Sequence, residues 1–170
     1  PEFEYAYADG YSLEFEFPVQ NTSLEAYKLS LQGTFNFLRN SRFIHGWQYI
    51  GEYFRHRKEL ANTWLYVFGY QINRHWSTLN MTGLRLSDTS SKGHLERLVN
   101  GSLFFSPSKQ ITMGLEMNWE SRPSRPDRML VMPQLHIPFT EHGSLQIGFG
   151  MLRTDDQNFP HAASRIIFRF

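Results

Sequence analysis

The chain has 170 residues, the length of a single domain, and its 17 basic and 16 acidic side chains leave a net charge of +1. This balance gives no reason to expect nucleic acid as a partner, and the absence of cysteine excludes disulfides and thiolate metal or redox sites. Aromatic residues make up 16% of the chain, and no stretch approaches the ~18 apolar residues that a membrane helix needs.

The first two predicted strands, at 2–8 and 11–18, flank the turn "ADG". In "YSLEFEF" an aromatic or aliphatic residue alternates with Ser or Glu. Successive side chains on a strand point to opposite faces, so this pattern predicts one apolar face and one acidic face. We expect the turn to bring Glu4 opposite Glu14 or Glu16, which would form a wall of like charges.

The same alternation recurs along the chain and predicts about eleven strands. They are expected at 2–8, 11–18, 25–38, 44–55, 61–73, 75–87, 95–105, 110–121, 128–139, 144–153 and 162–170. Many of them span about 9–12 residues, which is the length that crosses a bilayer at a tilt. Strands of soluble proteins average nearer five or six residues. Pro133 and Pro138 each remove a hydrogen-bond donor, so the strand that contains them is expected to be irregular.

The links between the predicted strands form two alternating sets. The short, turn-like set comprises 8–10, 73–75, 106–110 and 140–144, with a longer exception at 38–43. The more polar set comprises 19–25, 55–59, 87–94, 121–128 and 154–161. Bacterial membrane barrels alternate short periplasmic turns with longer outer loops in this way.

The odd number of predicted strands bears on the architecture. With eleven strands, the first and the last would run in the same direction, whereas a single-chain bacterial barrel has an even number of strands. We therefore predict an all-β, antiparallel, up-and-down transmembrane barrel as a single domain over residues 1–170. We expect a twelve-strand design whose first strand precedes Pro1, with ten strands as the alternative.

The last predicted strand ends in "RIIFRF". Ile166, Phe168 and Phe170 fall on its apolar face, and Arg165 and Arg169 on the other. A terminal Phe with apolar residues two and four positions before it resembles the C-terminal signal of Gram-negative outer-membrane β-barrel proteins. The resemblance implies location in the bacterial outer membrane, and recognition of Ile166, Phe168 and Phe170 by the barrel-assembly machinery.

A second resemblance covers about the first twenty residues. "PEFEYAYADGYSLEFEFPV" combines an aromatic-acidic strand, a tight turn that contains Asp, and the segment "LEFEFP". This hairpin resembles one in transporter-like proteobacterial barrels associated with phenol degradation. The rest of the chain departs from that pattern, so the resemblance implies no substrate.

The polar faces of the strands predict a charged lumen. The candidate lumen-lining residues are Glu14, Glu16, Lys28, Glu116, Arg165 and Arg169. An acidic wall opposite a basic one would select solutes by their charge. The alternative is a set of salt bridges that fills a narrow interior, because small barrels are filled by side chains.

The sequence predicts no metal site, no cofactor and no catalytic residues. The histidines are dispersed, without the spacing of a known ligand set: His45, His56, His75, His94, His136, His142 and His161. His161 and Ser164 are close in sequence, but positions three apart on a strand face opposite sides, so no Ser–His pair forms there.

These observations predict a passive channel or transporter-like, porin-like pore for small solutes, with outer-membrane lipid as its surroundings. One alternative is a non-conducting barrel that anchors other envelope proteins, and another is a barrel enzyme that modifies lipids. A soluble β-sandwich or lipocalin-like barrel is the rival fold. In that fold the same apolar stripes would face a core instead of lipid.

Overall fold

In a computed structural model of the protein, the alternating segments form strands that follow one another around a closed barrel. The structure describes residues 2–20, 23–38, 40–87, 94–108, 110–123 and 126–169, without the side chains of Gln20 and Arg169. The strands are β1 (Glu2–Ala8), β2 (Tyr11–Glu16), β3 (Val19–Gln20), β4 (Ser23–Leu24), β5 (Ala26–Thr34), β6 (Phe43–Phe54), β7 (Glu59–Gln71), β8 (Trp76–Ser87), β9 (His94–Ser108), β10 (Ile111–Ser121), β11 (Arg128–Pro138), β12 (Gly143–Thr154) and β13 (Gln157–Arg169). No helix within these ranges is long and apolar enough to cross a membrane.

The barrel wall contains eleven of these strands, which confirms the number counted from the sequence, while β3 and β4 form a separate two-stranded sheet. Each strand of the wall pairs antiparallel with the next one along the chain. An odd number of such strands leaves the first and the last parallel. The wall accordingly closes through a parallel seam between β1 and β13, from the pair Glu2–Ile167 to the pair Glu4–Arg169.

The links lie at two ends of the barrel, as their alternation predicts. At the Gly10 end are the links β1–β2, β5–β6, β7–β8, β9–β10 and β11–β12. At the Asp155 end are the links β2–β5, β6–β7, β8–β9, β10–β11 and β12–β13. Gly10 occupies the left-handed region, with φ of 77°, which allows the tight first turn.

Two of the predicted segments were wrong in their extent. The third strand ends at Thr34 instead of continuing to 38. The Phe35 N–H still donates to the His45 carbonyl, and beyond it the link folds so that the rings of Phe35 and Phe37 pack against the ring of His45. The expected polar link at 154–161 is a tight turn instead, and the last strand already begins at Gln157.

The strand that contains Pro133 is irregular, as predicted. Strand β11 stays paired with β10 along its length, including the pair Leu115–Pro133. Its ladder with β12 has no pair at Met132 or Pro133 and resumes at Gln134. The irregularity is therefore confined to the side of the strand that faces β12. It lies at Pro133, which has no N–H to donate to a ladder.

The apolar stripes face outwards and the charged stripes face the interior. On β10, Met113, Leu115 and Met117 are exposed on the outer surface. Between them, Glu116 and Asn118 are partly buried and bond with each other inside the wall. The aromatic residues Trp47, Tyr49, Tyr53, Trp64, Tyr66, Tyr70, Trp76 and Trp119 share the outward register. This single closed barrel, with its polar residues inside, differs from both a sandwich and a lipocalin-like barrel, whose apolar faces point inwards.

Candidate functional site

The strand register brings charged side chains together on the inner wall. The pairs Glu2–Glu16, Glu16–Lys28 and Lys28–Glu52 lie side by side on β1, β2, β5 and β6. Directly paired residues on neighbouring strands point to the same face. The four neighbouring strands β1, β2, β5 and β6 thus form one inward-facing row of charged side chains.

The first charged arc consists of Arg165, Glu2, Glu16, Lys28 and Glu52. The Arg165 guanidinium lies 3.1 Å from the Glu2 carboxylate and 3.6 Å from that of Glu16. The Lys28 ammonium lies 3.3 Å from Glu16 and 3.7 Å from Glu52. Along the wall from β13 to β6, across the seam, each of the two cations is therefore shared between two carboxylates, and the carboxylates of Glu2 and Glu16 are adjacent.

The second charged arc consists of Arg85, Glu96, Glu120 and Arg128. Arg85 on β8 lies 3.5 Å from both Glu96 and Glu120, and its Nε donates to the Thr63 hydroxyl at 3.2 Å. Arg128 on β11 lies 3.4 Å from Glu120. The sequence analysis missed this arc. The available signal was that its members occupy the alternate, inward-facing positions of their strands.

Both arcs follow the wall. Each of their ion pairs joins neighbouring strands or strands two apart, and within the ranges that the structure covers no ion pair links opposite walls. The Arg165 side chain remains 45% exposed in spite of its two partners. The charges therefore line the interior and do not bridge it.

A network of amides surrounds Glu116 on the inner face of β9 to β12. Its carboxylate accepts from Asn100 at 3.3 Å and from Gln134 at 3.1 Å. Gln134 also accepts from Gln146 on the next strand, and Asn100 donates to Asn118. Polar groups of four strands thus satisfy one another along this part of the wall.

Three carboxylates converge at the seam. One oxygen from each of Glu2, Glu14 and Glu16 lies within 4.8 Å of the others, a spacing that could hold a cation. Arg165 and Lys28 already supply positive charge to Glu2 and Glu16. The geometry is that of a charge-compensated cluster on the inner wall of the barrel.

A cavity of about 320 Å³ occupies the interior at the Gly10 end. Its walls are mostly apolar, with Ala6 and Val67 among the lining residues. At its polar side the Glu4 carboxylate accepts from Ser12 at 3.2 Å and from Gln32 at 3.0 Å. A second cavity of about 850 Å³ shares Ile44, Gly69 and Leu79 with the first and extends to Arg42. Two adjoining cavities thus lie at this end of the barrel.

The structure places the predicted lumen residues as follows. Glu14, Glu16, Lys28, Glu116 and Arg165 all face the interior; Arg165, Glu16 and Lys28 are in ion-pair contact, while Glu116 belongs to the separate amide network. Glu14 lies among the carboxylates at the seam. The backbone of Arg169 pairs with Glu4, but its side chain is outside the described part of the chain. That these side chains line a pore stays a prediction.

The predicted assembly signal lies on the outer surface where it is described. Ile166 is exposed, and the ring of Phe168 stacks on that of Phe3 with centroids 6.1 Å apart. Phe170 falls outside the described residues. Recognition of these side chains by an assembly machinery stays a prediction.

One Ser–His contact escaped the sequence analysis. The Ser23 hydroxyl and His56 Nε2 are 3.5 Å apart on exposed links at the Asp155 end. The two residues are distant in sequence, and their links had no strand register from which the contact could be predicted. At 3.5 Å, and with neither side chain buried, the contact is too long and too exposed to solvent to activate the serine as a nucleophile.

No protein-family model and no curated protein matches the chain.

Proposed function

We propose that this protein is an outer-membrane β-barrel of a Gram-negative bacterium and forms a passive, transporter-like pore for small solutes. The observation that carries the proposal is the orientation of the wall: large apolar side chains cover its outside, while glutamate, arginine, lysine and amides cover its inside. Soluble monomers rarely expose contiguous apolar patches of more than a few hundred Å². A belt of such side chains around the whole barrel suits lipid.

The two charged arcs support conduction in preference to a plug. Salt bridges that close a lumen would have to link opposite strands, whereas these run along the wall. Carboxylates and arginines set side by side on a wet wall act on passing ions through their local fields. The two cavities at the Gly10 end, of which the first is mostly apolar, then form a vestibule to the charged section.

A non-conducting barrel that anchors other envelope proteins is the second candidate. The amide network around Glu116 favours it, because mutually satisfied side chains from four strands occupy much of that inner surface. Barrels of eight strands are filled by side chains and those of sixteen leave a channel. Eleven strands stand between these limits, so conduction has to be measured.

The test is single-channel conductance of the refolded full-length protein in planar bilayers. An ion about 5 Å from a unit charge in a water-like medium gains or loses roughly 0.8 kcal/mol. The energy has opposite signs for a cation and an anion, so the loss of one charge should change the cation-to-anion permeability ratio about tenfold. We therefore expect Arg165→Gln to raise the ratio about tenfold, and Glu14→Gln with Glu16→Gln to lower it by at least that factor. Glu141→Gln, in an exposed turn, is the matched control and should leave the ratio unchanged.

Two results would contradict the pore. One is silence from protein that inserts and migrates as a folded, heat-modifiable barrel, which would favour the anchoring role. The other is conductance whose ion preference changes equally with Glu141→Gln and with the interior variants, because the interior charges would then have no special effect.

A further inference from the structure

The wall has two incomplete edges beside the seam. The parallel pairing of β1 and β13 covers Glu2–Glu4 on one strand and Ile167–Arg169 on the other. Within the described residues, Gln157–Arg165 of β13 pair with β12 alone, and Ala6–Ala8 of β1 pair with β2 alone. Each strand thus presents a row of backbone N–H and C=O groups towards the same gap.

Side-chain exposure marks the same gap. On a strand inside a complete wall, such as β10, exposed outward residues alternate with partly buried inward ones. From Ala162 to Ile166 on β13 every side chain is exposed, on both faces. The same holds from Tyr5 to Ala8 on β1. Inward residues are exposed there because no neighbouring strand covers them.

Unpaired strand edges are costly in any solvent. In water they invite pairing with other chains, and in hydrocarbon each unsatisfied backbone group costs several kcal/mol. One strand that ran antiparallel to both β1 and β13 would satisfy both edges at once. It would also replace three parallel pairs by a continuous antiparallel ladder and make the number of strands even.

We propose that a twelfth strand of the same polypeptide, preceding Pro1, inserts between β1 and β13. The direction of β1 supports this occupant. Strand β1 runs from the Asp155 side towards the Gly10 end, so a strand joined to its start by a hairpin runs the opposite way. That is antiparallel to β13 as well, since β1 and β13 are parallel. A second copy pairing through β13 would leave the edge of β1 uncovered.

An inserted strand would separate Arg165 from Glu2 and Glu16, whereas the part of the first charged arc from Glu16 to Glu52 would keep its ion pairs. The inference concerns the wall and does not depend on whether the lumen conducts. Its test is the separation of Phe3 and Phe168, which are direct partners in the parallel seam. Neighbouring strands are about 4.8 Å apart, so an inserted strand would separate these residues by nearly 10 Å. A disulfide requires Cα atoms within about 7 Å of each other. The chain has no cysteine of its own, so an introduced pair reports without background.

The experiment oxidises the full-length protein, in outer membranes or after refolding, with copper phenanthroline. We expect Phe3→Cys with Phe168→Cys to leave both thiols free. The control is Phe15→Cys with Leu29→Cys, whose residues are outward partners on β2 and β5 with or without an extra strand. This control pair should form the disulfide almost completely. Both variants must first migrate as folded, heat-modifiable barrels.

A disulfide between the cysteines introduced at positions 3 and 168 that forms as fully as the control disulfide would overturn the proposal. A photo-crosslinking amino acid at Ser164, which faces outwards on the open edge, identifies the neighbour directly. Attachment to a peptide that precedes Pro1 is the expected result. Attachment to a second copy or to another protein would show that a different chain covers this edge, and would also overturn the proposal.

Discussion

Single side chains on this barrel differ in role according to the face they occupy. Glu16 and Lys28 are direct partners on neighbouring strands, so their ion pair follows from the register alone. Arg165 reaches Glu16 from beyond β1, a contact that depends on how the wall closes. Alternation in the sequence therefore predicts which way a charge points, the strand register gives Glu16 its partner Lys28, and only the partners of Arg165 depend on barrel closure.

His45 shows a residue whose role comes from a link folded onto the outer surface. Its side chain is 3% exposed although its register is outward. One ring nitrogen lies 3.0 Å from the Tyr66 hydroxyl and the other 2.6 Å from the carbonyl oxygen of Phe37. The rings of Phe35, Phe37 and Phe43 surround it. The histidine thus fastens the β5–β6 link to the wall.

We expect His45→Ala to release this link. The variant loses two hydrogen bonds and the ring contacts, which together should cost about 1.4 kcal/mol or more of local stability. Such a loss increases the open fraction about tenfold. Chymotrypsin, which cuts after aromatic and leucine residues, should then cleave at Phe37 or Leu38 about tenfold faster than in the parent protein.

The control is His142→Ala, which removes an exposed histidine from another turn at the Gly10 end. It should leave cleavage at Phe37 and Leu38 unchanged. Equal cleavage rates for His45→Ala and the parent protein would mean that the link stays attached without the histidine.

Among the larger elements, the hairpin of β12 and β13 closes through a two-residue turn. Asp155 and Asp156 have φ of 53° and 58°, so both central residues are left-handed, as in a type I′ turn. Such a turn matches the twist of the flanking strands and allows pairing from Thr154–Gln157 onwards. Aspartate tolerates this conformation better than most residues, and glycine tolerates it best.

We therefore expect Asp156→Gly to raise the free energy of unfolding by up to about 1 kcal/mol, through relief of left-handed strain. Asp156→Ala is the matched control. It also removes the ion pair with Arg153, which lies 3.0 Å away, but it keeps the strain and adds a poorly suited residue. In urea titrations of the refolded proteins, the unfolding midpoint of Asp156→Gly should lie above that of the parent protein, and the midpoint of Asp156→Ala should lie below both. Equal unfolding midpoints for Asp156→Gly and Asp156→Ala would exclude backbone strain at this turn.

The elements also show how far the sequence alone could lead. Period-two alternation is a local property, so the number of strands, their faces and the common direction of β1 and β13 could be predicted. The polar residues of "TDDQNFPH" favoured a loop, but pairing with β12 extends the strand through Pro160. Phe35 and Phe37 continue the alternation of β5, yet the strand ends at Thr34 and the link folds so that both rings contact His45. Tertiary contacts decided both segments.

At the scale of the whole molecule, the outer surface is the feature that its surroundings must match. Leu115 lies at the centre of β10 and Ile111 at its Gly10 end. Both point outwards, with exposures of 40% and 41%, so an arginine at either position meets the same open space in the protein itself. Ile111 begins the strand beside a shift in register and Leu115 lies in regular pairing, but their exposure is alike and their depth within the proposed lipid differs.

We expect Leu115→Arg to lower the free energy of unfolding in phospholipid vesicles by about 2–4 kcal/mol, because it places a charge at the bilayer midplane. Ile111→Arg, near the interface, should cost about 0–1 kcal/mol. Reversible urea unfolding, followed by tryptophan fluorescence, measures both differences. A barrel surrounded by water would show almost no change for either variant, since both side chains are already exposed. Equal and small losses at the two positions would therefore refute membrane insertion of this wall, whatever the lumen conducts.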